Sequence, residues 1–280
     1  MSRADWKDMK LASLMHGRDG RLVVVSRDLT RATDAFPVVP TLQAALDDWD
    51  RHAPRLGDLA EALEHGSVPS FRFHEHDCAA PLPRAFGRFV ASGAAGGVAP
   101  ARSAGALGPR HPVRARDEAA GLVAEPGLAV IAGEGSGRAA PDAAPIRLVM
   151  LTCRVLETRD PSAGAAGPAG EVSFSFSPVA VTPDEIGPAW HEGRIDRPLL
   201  CRINQQPLQH GAVAGPADAQ ASIAQAAGPY PLEAGTIIAW SAPLPQVQSL
   251  RFGDTVRVEM KDAAGHSIFG AIEQEILPLG

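Results

Sequence analysis

Lysine, tyrosine and cysteine are scarce in this 280-residue chain. Lys7, Lys10 and Lys261 are the three lysines and Tyr230 the single tyrosine, so a mechanism needing a buried amine or a phenol has few candidates. Cys78, Cys153 and Cys201 stand in no paired spacing, which predicts free thiols and a reducing, cytoplasmic compartment rather than a disulfide scaffold. No apolar run approaches the roughly 20 residues that a spanning helix needs, so no membrane partner is expected. The first ten residues are polar and charged, unlike a secretory leader. An excess of positive charge is also missing: the net charge is −6, and no nucleic-acid partner is expected. Neither a GxGxxG nor a Walker loop occurs, and the glycine-rich stretches are Ala/Gly runs rather than strand–loop–helix phosphate sites.

What is abundant is alanine, with 49 residues. Setting alanine aside lowers the apolar share from 45% to about 28%, a thinner core than the headline value implies. Glycine and proline together make 53 residues, below the range of a disordered chain. The length fits one large domain or two small ones, with a core that needs no disulfide or metal.

Residues 9–14 and 21–26 read as two strands joined by a turn at 17–20, a hairpin. Apolar residues at 42, 45, 46 and 49 predict a helix over 41–52 capped by Thr41, and Leu56, Leu59, Ala60 and Leu63 a second over 55–63. Residues 71–83 read as a linker. The stretches 91–111, 160–170 and 211–228 are Ala/Gly/Pro-rich and read as loose loops. Strands are expected at 122–132, 172–178, 199–204 and 236–240, and as a terminal hairpin of 252–260 with 267–272. Residues 146–151 suit either a buried strand or the start of a helix. No internal repeat is visible.

Specific strings say more than periodicity does. They are MKLASL and GRDGRLVVVSRDLTRA within 9–32, PTLQAALDDWDRHAPRL at 40–56, CAAPLPRAF at 78–86, IRLVML at 146–151, FSPVAVTPDEIGPAWHEGRI at 176–195, LEAGTII at 232–238 and LRFGDTVRVEMKDAAGHSIFGAIEQ at 250–274. In this order they resemble the bacterial type of the fumarylacetoacetate hydrolase family across nearly the whole chain. The resemblance implies an α+β fold: a small N-terminal α/β domain, taken as 1–75, followed by a mixed β-roll catalytic-type domain, 76–280. It also implies a homodimer and cleavage of a C–C bond in a β-diketo acid assisted by Mg²⁺ or Ca²⁺, with relatives that decarboxylate, hydrate or isomerise oxo-acids. In such a site a hard cation held by carboxylates polarises the diketo oxygens, and a His–Glu pair activates water.

Carried over position by position, that site is altered. Of the family's Glu-x-Glu pair the first matches Glu125, while Gly127 stands at the second. The Asn-Asp-Val after IRLVML becomes Cys153-Arg154-Val155, which sets a guanidinium where a cation ligand belongs. The family lysine before FSPVAV matches Glu171, and Ala242 replaces a threonine. The segment that should supply an aspartate and the catalytic histidine is 87–107, which contains no Asp, Glu or His. The partner of that histidine falls in a stretch missing before Leu250. Scaffold strings persist while site positions change, so no metal and no other cofactor are expected. Glu125, Arg154 and Glu171 are the candidate catalytic residues, with a small oxo-acid or diketo compound as partner. Three readings stay open: a repurposed metal-independent enzyme (cyclising, isomerising or decarboxylating), a non-catalytic dimeric binding or scaffold protein, and an ordinary Mg²⁺-dependent C–C hydrolase.

Lesser candidates stand beside these. His74, Glu75, His76, Asp77 and Cys78 have metal-ligand chemistry, but a polar linker between domains is the favoured reading. Arg154 beside Cys153 would favour a thiolate nucleophile, against plain packing. Ser173, Ser175 and Ser177 alternate and are expected on a solvent-facing strand side. Cys201 reads as core, and His191, His210 and His266 as surface or loop.

Overall fold

The computed structural model describes residues 8–91, 97–101, 105–135, 144–158, 170–191, 193–211, 219–227, 231–242 and 244–280. The chain opens with the expected hairpin, β1 (Lys10–Leu14) and β2 (Arg21–Val25), extended by β3 (Arg31–Asp34). Gly20 closes the turn at φ +75, and a Cβ there would press on Ser13. Helix α1 (Leu42–Asp47) is capped by Thr41, whose side-chain oxygen accepts from the Ala44 N–H at 3.2 Å. Helix α2 (Trp49–Glu64) begins earlier than the sequence predicts. The break falls at Asp48, and Pro54 lies inside α2, where it forgoes one helical hydrogen bond without ending the helix. Its buried stripe of Trp49, Ala53, Leu56, Ala60 and Leu63 explains why: burial of that face outweighs the one lost bond.

Strands β4 (Phe71–Arg72), β5 (Arg88–Ala91), β6 (Val98–Pro100), β7 (Ala106–Leu107) and β8 (Val113–Ala115) follow. Two of them correct the reading of 91–111 as loose: β6 pairs with β5, and β7 with a later strand, because ladder hydrogen bonds need no apolar side chains. Residues 92–96 and 102–104 of that stretch, and 160–169, lie outside the described residues. Long strands β9 (Leu122–Ala132) and β10 (Ile146–Glu157) form the centre, so 146–151 is strand. Then come β11 (Gly170–Phe176), β12 (Val179–Val181), the short helix α3 (Pro183–Ile186), β13 (Trp190–His191), β14 (Arg194–Ile195), β15 (Leu199–Ile203) and β16 (Gln209–Gly211). Helix α4 (Ala219–Ala227), anchored by buried Ile223, corrects the loose-loop reading of 211–228 over those residues. The chain closes with β17 (Ile237–Ser241), β18 (Ser249–Leu250), β19 (Thr255–Met260) and β20 (Ile272–Pro278). The return strand of the terminal hairpin thus starts at Ile272, later than expected. Gly270 takes φ +73 against Pro178, and Ser267 makes only an isolated bridge to Lys261.

The large sheet runs β4-β3-β2-β1-β12-β10-β9-β17-β5-β6, so β1 pairs directly with β12, Lys10 opposite Val181. One face packs Leu148, Met150, Phe174 and Phe176 under α1 and α2. The other packs Val149, Leu151 and Cys153 against the second sheet, β16-β15-β19-β20-β8, through Leu199, Cys201 and Val258. Both faces are covered, which overturns the solvent-facing expectation for the serines: Ser173, Ser175 and Ser177 are all buried. Ser177 is satisfied, accepting from Leu151 N–H at 3.0 Å and donating to Val179 O at 2.9 Å. The result is a mixed, mostly stranded α+β fold. Among the described residues no helix is long and apolar enough to cross a membrane.

Candidate functional site

Register on the central strands assembles the site. In the β9–β10 pair, Arg154 lies directly opposite Glu125, so the two side chains share a face. Strand β17 pairs residues 127–131 of β9, and β18 pairs 122 and 123. Glu125 and Pro126 therefore stand where one partner strand ends and the next has not begun, a place where a residue without an N–H is tolerated. On the other side, β10 pairs with β11 through a bulge: Val155 faces Ser173, but Leu156 faces Glu171, skipping Val172. Strict alternation would have put Glu171 on the serine side. The extra residue turns it to the side of Arg154 and Phe174.

Arg154 bridges the two acids. One guanidinium nitrogen donates to Glu125, another to Glu171 Oε2 at 3.2 Å, and Ser241 Oγ lies 3.4 Å away. Burial is graded: the Glu171 side chain is 5% exposed, Arg154 16% and Glu125 30%. A second guanidinium, Arg88, comes from β5 opposite Ile237. Burial lowers its proton affinity, and the charge of Glu171 opposes that loss. Two guanidiniums and two carboxylates thus balance, with Glu125 the outermost member. The three candidate residues read from the sequence meet here. Arg88 and Ser241 were not foreseen: Arg88 opens a low-complexity run, and Ser241 is an ordinary strand residue.

The lesser candidates fare differently. Cys153 faces away from Arg154 into the inter-sheet core, where burial pushes its thiol up. Proximity in sequence to Arg154 brings no activation, because neighbouring strand residues point to opposite faces. Cys201 is core, and His191, His210 and His266 are exposed. Glu75–Asp77 form a short 3₁₀ turn in which Glu75 pairs with Arg110 at 2.5 Å. Among the described residues, no three His, Cys, Asp or Glu side chains gather to hold a metal ion.

A profile of the Fumarylacetoacetase N-terminal domain 2 matches residues 9–84, and one of the Fumarylacetoacetate (FAA) hydrolase C-terminal matches residues 98–277. The chain belongs to the fumarylacetoacetate hydrolase family. Solved structures agree on the fold. Maleylpyruvate hydrolase from Sphingobium sp. SYK-6 superposes with a TM-score of 0.68 at 18% identity, covering 97% of this chain and 100% of that one. The 2-hydroxyhepta-2,4-diene-1,7-dioate isomerase from Mycobacterium marinum gives 0.64 at 18% identity, covering 97% and 99%. No curated protein matches the chain in sequence.

The divalent cation that the family resemblance implies does not fit the residues described here. Glu125 keeps one ligand position. At Gly127 a Cβ would overlap the carbonyl oxygen of Trp240, so no side chain can stand there without moving β17. At the third position the Arg154 guanidinium lies against both acids.

Proposed function

We propose that this member of the fumarylacetoacetate hydrolase family acts on a small oxo-acid or diketo compound without a divalent metal, the Arg154 guanidinium standing in the cation's place. The position of Arg154 between Glu125 and Glu171 carries this reading. A guanidinium offers several N–H donors and a fixed positive charge, so it can hold a substrate carboxylate or an enolate oxygen. Nearly buried Glu171 orients it from behind. Glu125, the most exposed of the three, serves as the base: on an unsaturated oxo-acid it takes a proton from the carbon between the carbonyl and a C=C bond, the electron pair spreads as a dienolate onto the carbonyl oxygen facing Arg154, and the same carboxyl returns the proton to the far carbon of the dienolate as the C=C bond moves next to the carbonyl. That is an isomerisation, and it needs no activated water, in keeping with the absence of Asp, Glu and His from residues 87–107. As in the family at large, the chain is expected to work as a homodimer.

One observation favours a non-catalytic alternative. The quartet of Arg88, Arg154, Glu125 and Glu171 balances its own charge, which a binding or scaffold protein would also require. Turnover of a panel of β,γ-unsaturated oxo-acids, acylpyruvates and β-diketo acids in EDTA separates the two. The enzyme reading expects activity that survives chelation and falls at least a hundredfold in Glu125→Gln and Arg154→Ala. Background rates across the panel favour the binding protein, and activity that requires added Mg²⁺ contradicts both.

A further inference from the structure

A cavity of about 370 Å³ opens between the β1–β2 turn and the segment that carries β7. Its described lining includes His16, Arg18 and His111 and no carboxylate; Met15, Pro83 and Ala106 give it an apolar floor. The frame is built. The end of β1 is fixed by Met15 N–H donating to Asp77 O at 2.8 Å and Ala79 N–H to Ser13 O at 2.9 Å. Gln274 Nε2 donates to the carbonyls of Gly108 (3.0 Å) and His111 (2.7 Å), holding the loop that bears the histidine. Gly108 packs so closely that a Cβ would lie 2.6 Å from Cys78 O. Its N–H donates to His111 Nδ1 at 3.1 Å, which places the ring N–H on Nε2, where it can donate to another acceptor.

Charge in the turn is also sorted. Its one acid, Asp19, is taken by Arg84 through two hydrogen bonds of 2.7 and 2.6 Å, which hold its carboxyl below the usual value. Arg18 and His16, both exposed, make no hydrogen bond or close ion pair among the described residues, although the Arg18 charge joins that of Arg84 in holding Asp19 down. The cavity beside Lys10 differs: it carries four acids, Asp8, Glu61, Glu64 and Glu185, against Lys10, Arg27 and His65.

We propose that the cavity at the β1–β2 turn binds a small organic anion, its carboxylate or phosphate held by Arg18, His16 and His111 Nε2 and its apolar body resting on Met15, Pro83 and Ala106. This site is separate from Arg154 and stands whether or not the quartet is catalytic. The test follows the imidazole C–H resonances of His16 and His111 in the full chain, assigned with His→Gln variants. The probes are phenyl phosphate, phenylacetate and inorganic phosphate, with sodium chloride at matched ionic strength as the control. The expected result is a saturable shift of both histidines with at least one phenyl anion, weakened tenfold or more in Arg18→Ala and unchanged in Arg154→Ala. The tighter of the two phenyl anions tells phosphate from carboxylate. Shifts no larger than those with chloride, saturable shifts that persist in Arg18→Ala, or shifts abolished in Arg154→Ala overturn the proposal.

Discussion

Replacing Arg154 by alanine removes the positive charge that lies against two acids. Glu171, 5% exposed, would then lose its ion pair with Arg154 while Arg88 remains as a cationic neighbour, and Glu125, 30% exposed, can turn to water. Breaking a fully buried pair costs roughly 3–5 kcal/mol because a charge is left uncompensated. Here Arg88 remains and one acid is partly solvated, so the loss is about 2–3 kcal/mol. At about 2–4 °C per kcal/mol for a chain near this size, Tm falls by about 4–12 °C. Glu125→Gln, by contrast, touches the exposed end of the bridge and costs about 0–1 kcal/mol. Arg154→Lys falls between, since an ammonium cannot reach both acids with a planar fork. Thermal melting by circular dichroism of these variants at neutral pH reads the order directly. The reasoning is refuted if Arg154→Ala melts with the wild type, or if Glu125→Gln costs more than Arg154→Ala.

Lys10→Met is expected to cost about 2–4 kcal/mol in urea unfolding, because Lys10 Nζ lies 2.5 Å from Ile268 O and 3.4 Å from Glu185, with both side chains under one-tenth exposed, and exposed Arg27, 3.6 Å from Glu185, compensates only in part. Adding Glu185→Leu should recover part of the loss; a single-variant cost under about 1 kcal/mol contradicts this. Ser175 is fully buried with no hydrogen-bond partner for its Oγ among the described residues, so Ser175→Ala should be neutral or stabilising by up to about 1 kcal/mol, and a loss above about 2 kcal/mol contradicts this. Hydrogen bonds from Arg84, Ser26 and Arg21 hold Asp19, Asp28 and Asp34 below their ordinary value of 3.8. Depressed carboxylates contribute stability above that value and lose it as pH falls through their folded values, so urea midpoints should drop below about pH 4. A midpoint that rises on acidification runs against that sign.

Much of the scaffold was legible because it rests on local signals. The β1–β2 hairpin shows its turn glycines, α1 its Thr41 cap, and the Glu125–Arg154 pairing follows from family register. What escaped depends on information no single segment carries. The bulge at Val172, which swings Glu171 toward Arg154, is a backbone event invisible to a period-two pattern. That same pattern alternates the serines correctly but cannot say that a second sheet covers their face. The apolar spacing ends one helix at 52 and starts the next at 55, yet the buried face of α2 runs on through Pro54. Arg88 joins the quartet only through the parallel pairing of β5 with β17, a long-range contact between segments that read as unrelated.

Titration of the purified full chain with Mg²⁺ by calorimetry, repeated with Mn²⁺ by electron paramagnetic resonance, tests whether a guanidinium has taken the cation's place. No saturable binding is predicted up to millimolar metal, in the wild type and in Glu125→Gln alike. One metal bound per chain at micromolar concentration, and lost in Glu125→Gln, contradicts it.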